Sequence, residues 1–256
     1  MPASSRRRSQ GTAVSARAAS NESNAADIDA LPQNGEEVYR RLREMIILGK
    51  LAAGTPITER RVAERLSVSR TPVRGALHRL EQEGFVESVG SDVDRRLIVA
   101  PLTKDDGGEL WLMVAHLEGM AARRAADLPA SRRKTLAQRM RTVNKDLSVA
   151  LKGGVYATEP YNLDLEFHRL IVEEASGPRF VRVHRSMKLQ VERYARAYFG
   201  TLITGLSNSV AEHDKLVKAV AAGEPAAAQH AVEVNWYNAA ARLLRTIDEH
   251  GERGTW

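Results

Sequence analysis

The chain has 256 residues, 43% of them hydrophobic, enough for one large core or two modest ones and too many for a purely disordered protein. Charged residues make up 27% and aromatics 5%, with a formal net charge of +6, a balance that leans toward helix. Cysteine is absent, which excludes disulfides, thiol nucleophiles and Cys-ligated zinc, and no apolar run approaches the roughly 20 residues that span a bilayer, so a cytoplasmic protein with no membrane segment is expected.

Residues 1–34 carry Arg6, Arg7 and Arg8 among Ser, Ala and Asn with no hydrophobic period. They read as a disordered basic tail, either a solvated leader or an arm that tracks a polyanion. From Glu36 the pattern turns helical, with Val38, Leu42, Met45 and Ile46 on one side and Gly49 as the stop. Thr58 caps a helix to about Leu66, and Ser67-Val68 forms a short turn. Ser69 then caps a second helix, with Pro72 in its first turn, that stops at Gly84. Phe85 to Val89 and Arg96 to Ala100 flank Gly90-Ser91-Asp92-Val93-Asp94 and read as a β-hairpin; Pro101-Leu102 closes a unit spanning 35–102.

Thr103-Lys104-Asp105-Asp106 has capping-box spacing and opens a long helix to about Leu128. Further helices are expected near 131–150, 160–175, 178–200, 209–222 and 224–248, with Ser209 and Glu212 as the capping box of the fourth. The predicted fold is therefore mainly α: an N-terminal winged helix-turn-helix, then an all-α six-helix bundle over 103–250 and a tail at 251–256.

Charge concentrates in the first unit. From Arg60 to Arg79 stand six basic residues, Arg60, Arg61, Arg65, Arg70, Arg74 and Arg79, against the single acid Glu64. At about 100° per residue, Val73, Ala76, Leu77 and Leu80 share one face of the second helix, while Arg70, Thr71, Arg74 and His78 share another. An ordinary solvated face could look the same. A preceding helix, a tight turn and a following hairpin favour a reader helix that enters the major groove of double-stranded DNA, where Arg donates two hydrogen bonds to guanine or neutralises phosphate.

The run from Val62 to Val86, with its Val68-Ser69-Arg70-Thr71-Pro72-Val73-Arg74 core, resembles the winged-helix domain of GntR-type bacterial transcription regulators. The resemblance implies that Arg70, Thr71 and Arg74 meet the operator and that Arg60, at the start of the preceding helix, contacts it too. Gly75 departs from the family's usual Glu, and the wing lacks the common Arg-Gly tip, leaving Arg95 and Arg96 as its donors.

In the helix near 160–175, Asp164 and His168 fall within the apolar arc of Tyr161, Phe167, Ile171 and Val172. His213 is similarly flanked by Val210, Leu216, Val217 and Val220. Such groups facing a core are costly unless paired, and three inward O/N donors on two helices leave two readings open: a hydrogen-bonded buried set, or a divalent metal site. His116, His184 and His230 are assigned to packing or surface.

Asp164-Leu165-Glu166-Phe167-His168 and the Glu212-His213 segment resemble elements of the FadR-type (FCD) effector domain. This implies a divalent ion, Zn, Ni, Mn or Fe, held by Asp164, His168 and His213 beside a small effector, often a carboxylate. Asn235 stands where a third His is usual and is a fourth ligand or effector contact. Val114 stands where an effector-holding Arg often occurs, a role Arg242 could take. The expected protein is a non-enzymatic, ligand-responsive regulator, a repressor of a metabolic or catabolic operon, that binds a short palindrome as a homodimer. A metal-dependent hydrolase with a DNA-binding appendage, or an effector-independent DNA binder, are the alternatives.

Overall fold

The computed structural model describes residues 34–91, 94–153, 158–202 and 205–255; the expected basic tail, up to residue 33, and the wing positions Asp92 and Val93 lie outside them. The N-terminal unit runs α1 (Gly35–Ile47), β1 (Pro56–Ile57), α2 (Glu59–Leu66), α3 (Arg70–Gln82), β2 (Val86–Val89) and β3 (Arg96–Val99). Asn34 caps α1 by accepting from the Glu37 amide at 3.0 Å, and Thr58 caps α2 by accepting from Arg61 at 3.3 Å. The turn between α2 and α3 is made by Ser67 at φ 55, in the left-handed region.

Ser69 precedes α3 but its side chain makes no capping hydrogen bond. The third residue of that helix is Pro72, which has no amide hydrogen, so the residue that eases helix entry also removes one of the two donors a capping hydroxyl could use. The hairpin forms as expected and gains a third strand, because β1 pairs antiparallel with β3 through Pro56↔Ile98 and Ile57↔Leu97. Val38, Leu42, Leu66, Val73, Leu77, Leu80 and Phe85 form the core of this unit.

The C-terminal unit holds α4 (Lys104–Ala126), α5 (Ala130–Ala150), α6 (Glu159–Ala175), α7 (Pro178–Ala197), α8 (Phe199–Leu202), α9 (Leu206–Ala222) and α10 (Pro225–His250). Ala115, Ala121, Ala122 and Ala125 of α4 are fully buried, which lets the long helix α10 lie close along it. The six expected helices are joined by the four-residue α8. Helix α9 begins at Leu206, so Ser209 and Glu212 sit inside it and form no capping box. Instead Ser209 is buried beside Arg242, and Glu212 accepts from Asn235 and Asn238. Among the described residues, no helix is long and apolar enough to cross a membrane.

Two sets of contacts join the units. From α7, Gln190 donates to the Glu83 carbonyl at the end of α3, and Arg193 donates to the Ala100 carbonyl at 2.6 Å. Beyond α10, Arg253 and Leu102 exchange backbone hydrogen bonds, and Gly54 meets Gly254 backbone to backbone. Both glycines have left-handed φ, and a Cβ on Gly54 would lie 2.7 Å from the Gly254 Cα. Gly54→Ala is expected to lower stability by about 1–3 kcal/mol through strain and clash, read as a fall in the melting midpoint.

Candidate functional site

Arg60, Arg70, Thr71 and Arg74 are all exposed, on α2 and the first two turns of α3, while Val73, Ala76, Leu77 and Leu80 face the core. The cationic face is more neutralised than its composition suggests. Arg74 makes a two-bond ion pair with Glu59 (Nε–Oε1 2.7 Å, Nη2–Oε2 3.0 Å), which holds the Glu59 carboxyl below its ordinary range. Arg60 pairs with Glu64 at 3.3 Å. Arg70 has no ion-pair partner among the described residues. In the wing, Arg95 bonds Glu81 and Ser88, so its guanidinium is already committed.

Gly75 is exposed in the middle of α3, and a Cβ there would meet nothing within 4 Å. Since mid-helix glycine costs roughly 0.5–1 kcal/mol relative to alanine, Gly75→Ala is expected to raise the unfolding free energy by that amount, read as a higher denaturation midpoint.

In the helical unit Asp164, His168 and His213 converge, one ligand atom from each lying within 4.8 Å of the others. Sequence spacing placed Asp164 and His168 on one face of α6; tertiary packing brings α9 to them, with the His213 ring stacked 3.8 Å from Phe167. The outward nitrogens of both imidazoles are held from behind. His168 Nδ1 donates to Glu118 at 2.5 Å. His213 Nδ1 lies 3.0 Å from the Asn144 side-chain oxygen, whose amide nitrogen is already donating to the Val210 carbonyl and Asp214. Because that oxygen only accepts, His213 carries its proton on Nδ1 and turns a lone pair on Nε2 inward.

That Nε2 is buried with no hydrogen-bond partner among the described residues, and Asp164 Oδ1 lies 3.6 Å from it. Burial, then the nearby His168, holds His213 well below the usual histidine range, which keeps it neutral and ligand-competent. Burial raises the Asp164 carboxyl, against the lowering pull of His168 and Lys188. An orphaned lone pair, two rings oriented from behind and one carboxylate fit a divalent ion of the N/O-preferring kind.

Glu118 of α4 organises the surroundings. It is fully buried and accepts from His168, from His184 Nε2 at 2.8 Å and from Trp236 Nε1 at 2.8 Å. Burial opposes its ionisation, yet His168, Lys188 and those hydrogen bonds hold it well below the ordinary carboxyl value. His184, assigned to packing or surface, is indeed buried in the bundle; its carboxylate partner, on a distant helix, is invisible to local periodicity. Glu118→Gln is expected to weaken divalent-metal affinity about 10–100-fold, measured by competition with a chromophoric chelator.

A cavity of about 80 Å³ opens beside the cluster, walled by Asp164, Tyr161, Trp111, Trp236, Lys188 and Arg242 among others. The Tyr161 hydroxyl is buried without a partner among the described residues, and the Lys188 ammonium lies 4.2 Å from the Trp236 ring. Val114 is fully buried in the core, outside this wall; the positive charge comes from α7 and α10 instead. Asn235 is buried, but its amide nitrogen is committed to Glu212 at 2.7 Å.

The pattern described as "Bacterial regulatory proteins, gntR family" matches residues 34–91, and the FCD domain matches residues 109–250, more than half of the chain. The chain belongs to the GntR family of regulators, with an FCD domain. This GntR regulator is 27% identical over 224 residues to the "Probable D-xylose utilization operon transcriptional repressor" of Paenarthrobacter nicotinovorans, covering 84% of this chain and 91% of that one. It is 24% identical over 199 residues to an uncharacterized HTH-type transcriptional regulator of Mycobacterium tuberculosis, covering 77% and 75%. Its fold is that of E. coli McbR/YncC, with a TM-score of 0.62 at 20% identity over 82% of this chain and 97% of that one. It is also similar to Lar, described as controlling the agr system of Listeria monocytogenes, with a TM-score of 0.53 at 16% identity over 85% and 99%. Family and relatives are transcriptional regulators rather than enzymes.

Proposed function

We propose that this GntR regulator is a repressor of a metabolic operon that binds a short palindromic operator as a homodimer and releases it when a small carboxylate enters the FCD domain. The observation that carries the reading is the His213 Nε2 left without a partner among the described residues, clustered with His168 and Asp164, and Asp164 in turn lines a cavity together with Lys188 and Arg242. Bound there, a divalent ion supplies a Lewis-acidic anchor for an anionic oxygen. Lys188 and Arg242 complement the remaining negative charge, and Trp111 and Trp236 exclude water from the ligand's body. Arg60, Arg70, Thr71 and Arg74 are the operator contacts, and the repressor sense is supported by the description of the Paenarthrobacter relative as a transcriptional repressor.

Homodimerisation is supported by a stripe of exposed apolar side chains, Leu112, Met113 and Met120, on α4 with Tyr237 of α10 beside it. Two copies joined across such a face present two reader helices to two half-sites. The test is fluorescence anisotropy of labelled promoter fragments from the gene's own chromosomal neighbourhood, with and without a library of small carboxylates, before and after chelation. Salt-sensitive binding that a carboxylate relieves only in the metal-loaded protein is expected. Binding to no such fragment, or relief that is indifferent to chelation, would overturn the reading.

A further inference from the structure

A second cavity, of about 270 Å³, lies where the winged unit meets the helical one. Its walls are apolar, with Ile46 from α1, Leu51 from the loop after it, Val99 from β3 and Leu102 from the connection between units. Three arginines complete the lining, Arg193 and Arg196 from α7 and Arg253 from the C-terminal segment, and no carboxylate is among the lining residues. Arg196 is tied along its own helix to Glu192. Arg193 is buried and donates to Gln190 and to the Ala100 carbonyl, with no carboxylate partner among the described residues. Arg253 has its guanidinium 5.5 Å from the Tyr198 ring and likewise no carboxylate partner there. Burial disfavours the Arg193 charge, and the carboxylates of Asp106 and Glu87 offset this only through space, without an ion pair. An apolar chamber whose only ionic groups are cations is the complement of an anion that carries an apolar chain.

We infer that this junction cavity is a second ligand site, for an aliphatic monocarboxylate, separate from the pocket beside Asp164 and His213. A cavity of about 150 Å³ accepts benzene, so the larger volume here suits a chain of about eight carbons. The carboxylate is placed against Arg193 and Arg253, and the chain runs along Ile46, Leu51 and Val99. Helix α7 forms a wall of both cavities: Val191 and Ala195 line the first, Arg193 and Arg196 the second. The same helix holds the end of the reader helix through Gln190 and the Glu83 carbonyl. A ligand wedged at the junction therefore bears on the placement of the winged unit from a position the first ligand does not occupy.

Isothermal titration of the full chain with sodium octanoate, with 1-octanol as the uncharged control, tests this without DNA or metal. Saturable one-site octanoate binding is expected, with octanol about tenfold weaker or worse, since charge-assisted hydrogen bonds are lost. Arg253→Gln is expected to weaken octanoate about tenfold, whereas Arg242→Gln, in the other cavity, leaves it unchanged. Arg193→Lys should behave as Arg253→Gln does; because Arg193 is buried, the exposed Arg253 carries the decision, and thermal melts establish that each variant is folded. Absence of saturable heat, octanol binding as tightly as octanoate, indifference to Arg253→Gln, or loss in Arg242→Gln would each overturn the assignment.

Discussion

Arg70→Ala is expected to weaken operator binding by about 1–3 kcal/mol, roughly 5–150-fold, and, if Arg70 reads a base, to relax the sequence preference at that base. Arg74→Ala is expected to have the smaller effect of the two, because in the free chain two of the Arg74 donors are already engaged by Glu59, whereas Arg70 has no ion-pair partner among the described residues. Contact with DNA must therefore compete with, or share, an existing pair at Arg74 and has no such competitor at Arg70. Anisotropy titrations over a range of salt separate the roles. A variant that loses a phosphate contact flattens the log–log salt slope by about 0.9, while one that loses a base contact leaves the slope and loses discrimination. A larger loss at Arg74 than at Arg70 would contradict this ordering, and unchanged binding in the double variant would remove α3 from the interface.

The second large effect concerns the buried cluster. Asp164→Ala and His213→Ala are expected to abolish metal retention after dialysis, measured by plasma mass spectrometry. They should also abolish the thermal stabilisation that added metal gives the parent chain, about 2.7 kcal/mol when the ion is present at 100 times its Kd. Asn235→Ala should lower metal content less than Asp164→Ala does, because the Asn235 nitrogen donates to Glu212 and only its neutral amide oxygen, a weaker donor than imidazole or carboxylate, is left to reach an ion. If Asn235→Ala proves as damaging as Asp164→Ala, the amide oxygen is a fourth ligand after all. If neither His213→Ala nor Asp164→Ala changes metal content, the cluster is a hydrogen-bonded core and His213 Nε2 is simply unsatisfied.

Local pattern alone carried the identity of this protein a long way. The two faces of α3 follow from the spacing of Val73, Leu77 and Leu80 against Arg70 and Arg74. The i, i+4 relation of Asp164 and His168 follows from the helical period, and family membership rests on short contiguous motifs. These are properties of consecutive residues on one element, and the 3.6-residue repeat is enough to state them. Helix starts were less legible, as Ser69 and Ser209 show, because a cap depends on which amide hydrogens are free as well as on the capping residue itself. Strand β1 escaped notice because two residues, one of them proline, have no alternation to read.

Tertiary packing alone decided the partners. Glu118 gathers His168, His184 and Trp236 from three other helices, and Asn144 orients His213 from α5. Glu59 meets Arg74 across the helix-turn-helix, and α7 places Lys188 in one cavity and Arg193 in another. Sequence thus determined which residues could bind DNA or a metal. The fold decided which of them are already engaged and which nitrogen is left without a partner, because both depend on distances between residues far apart along the chain, and no periodicity within one helix encodes those.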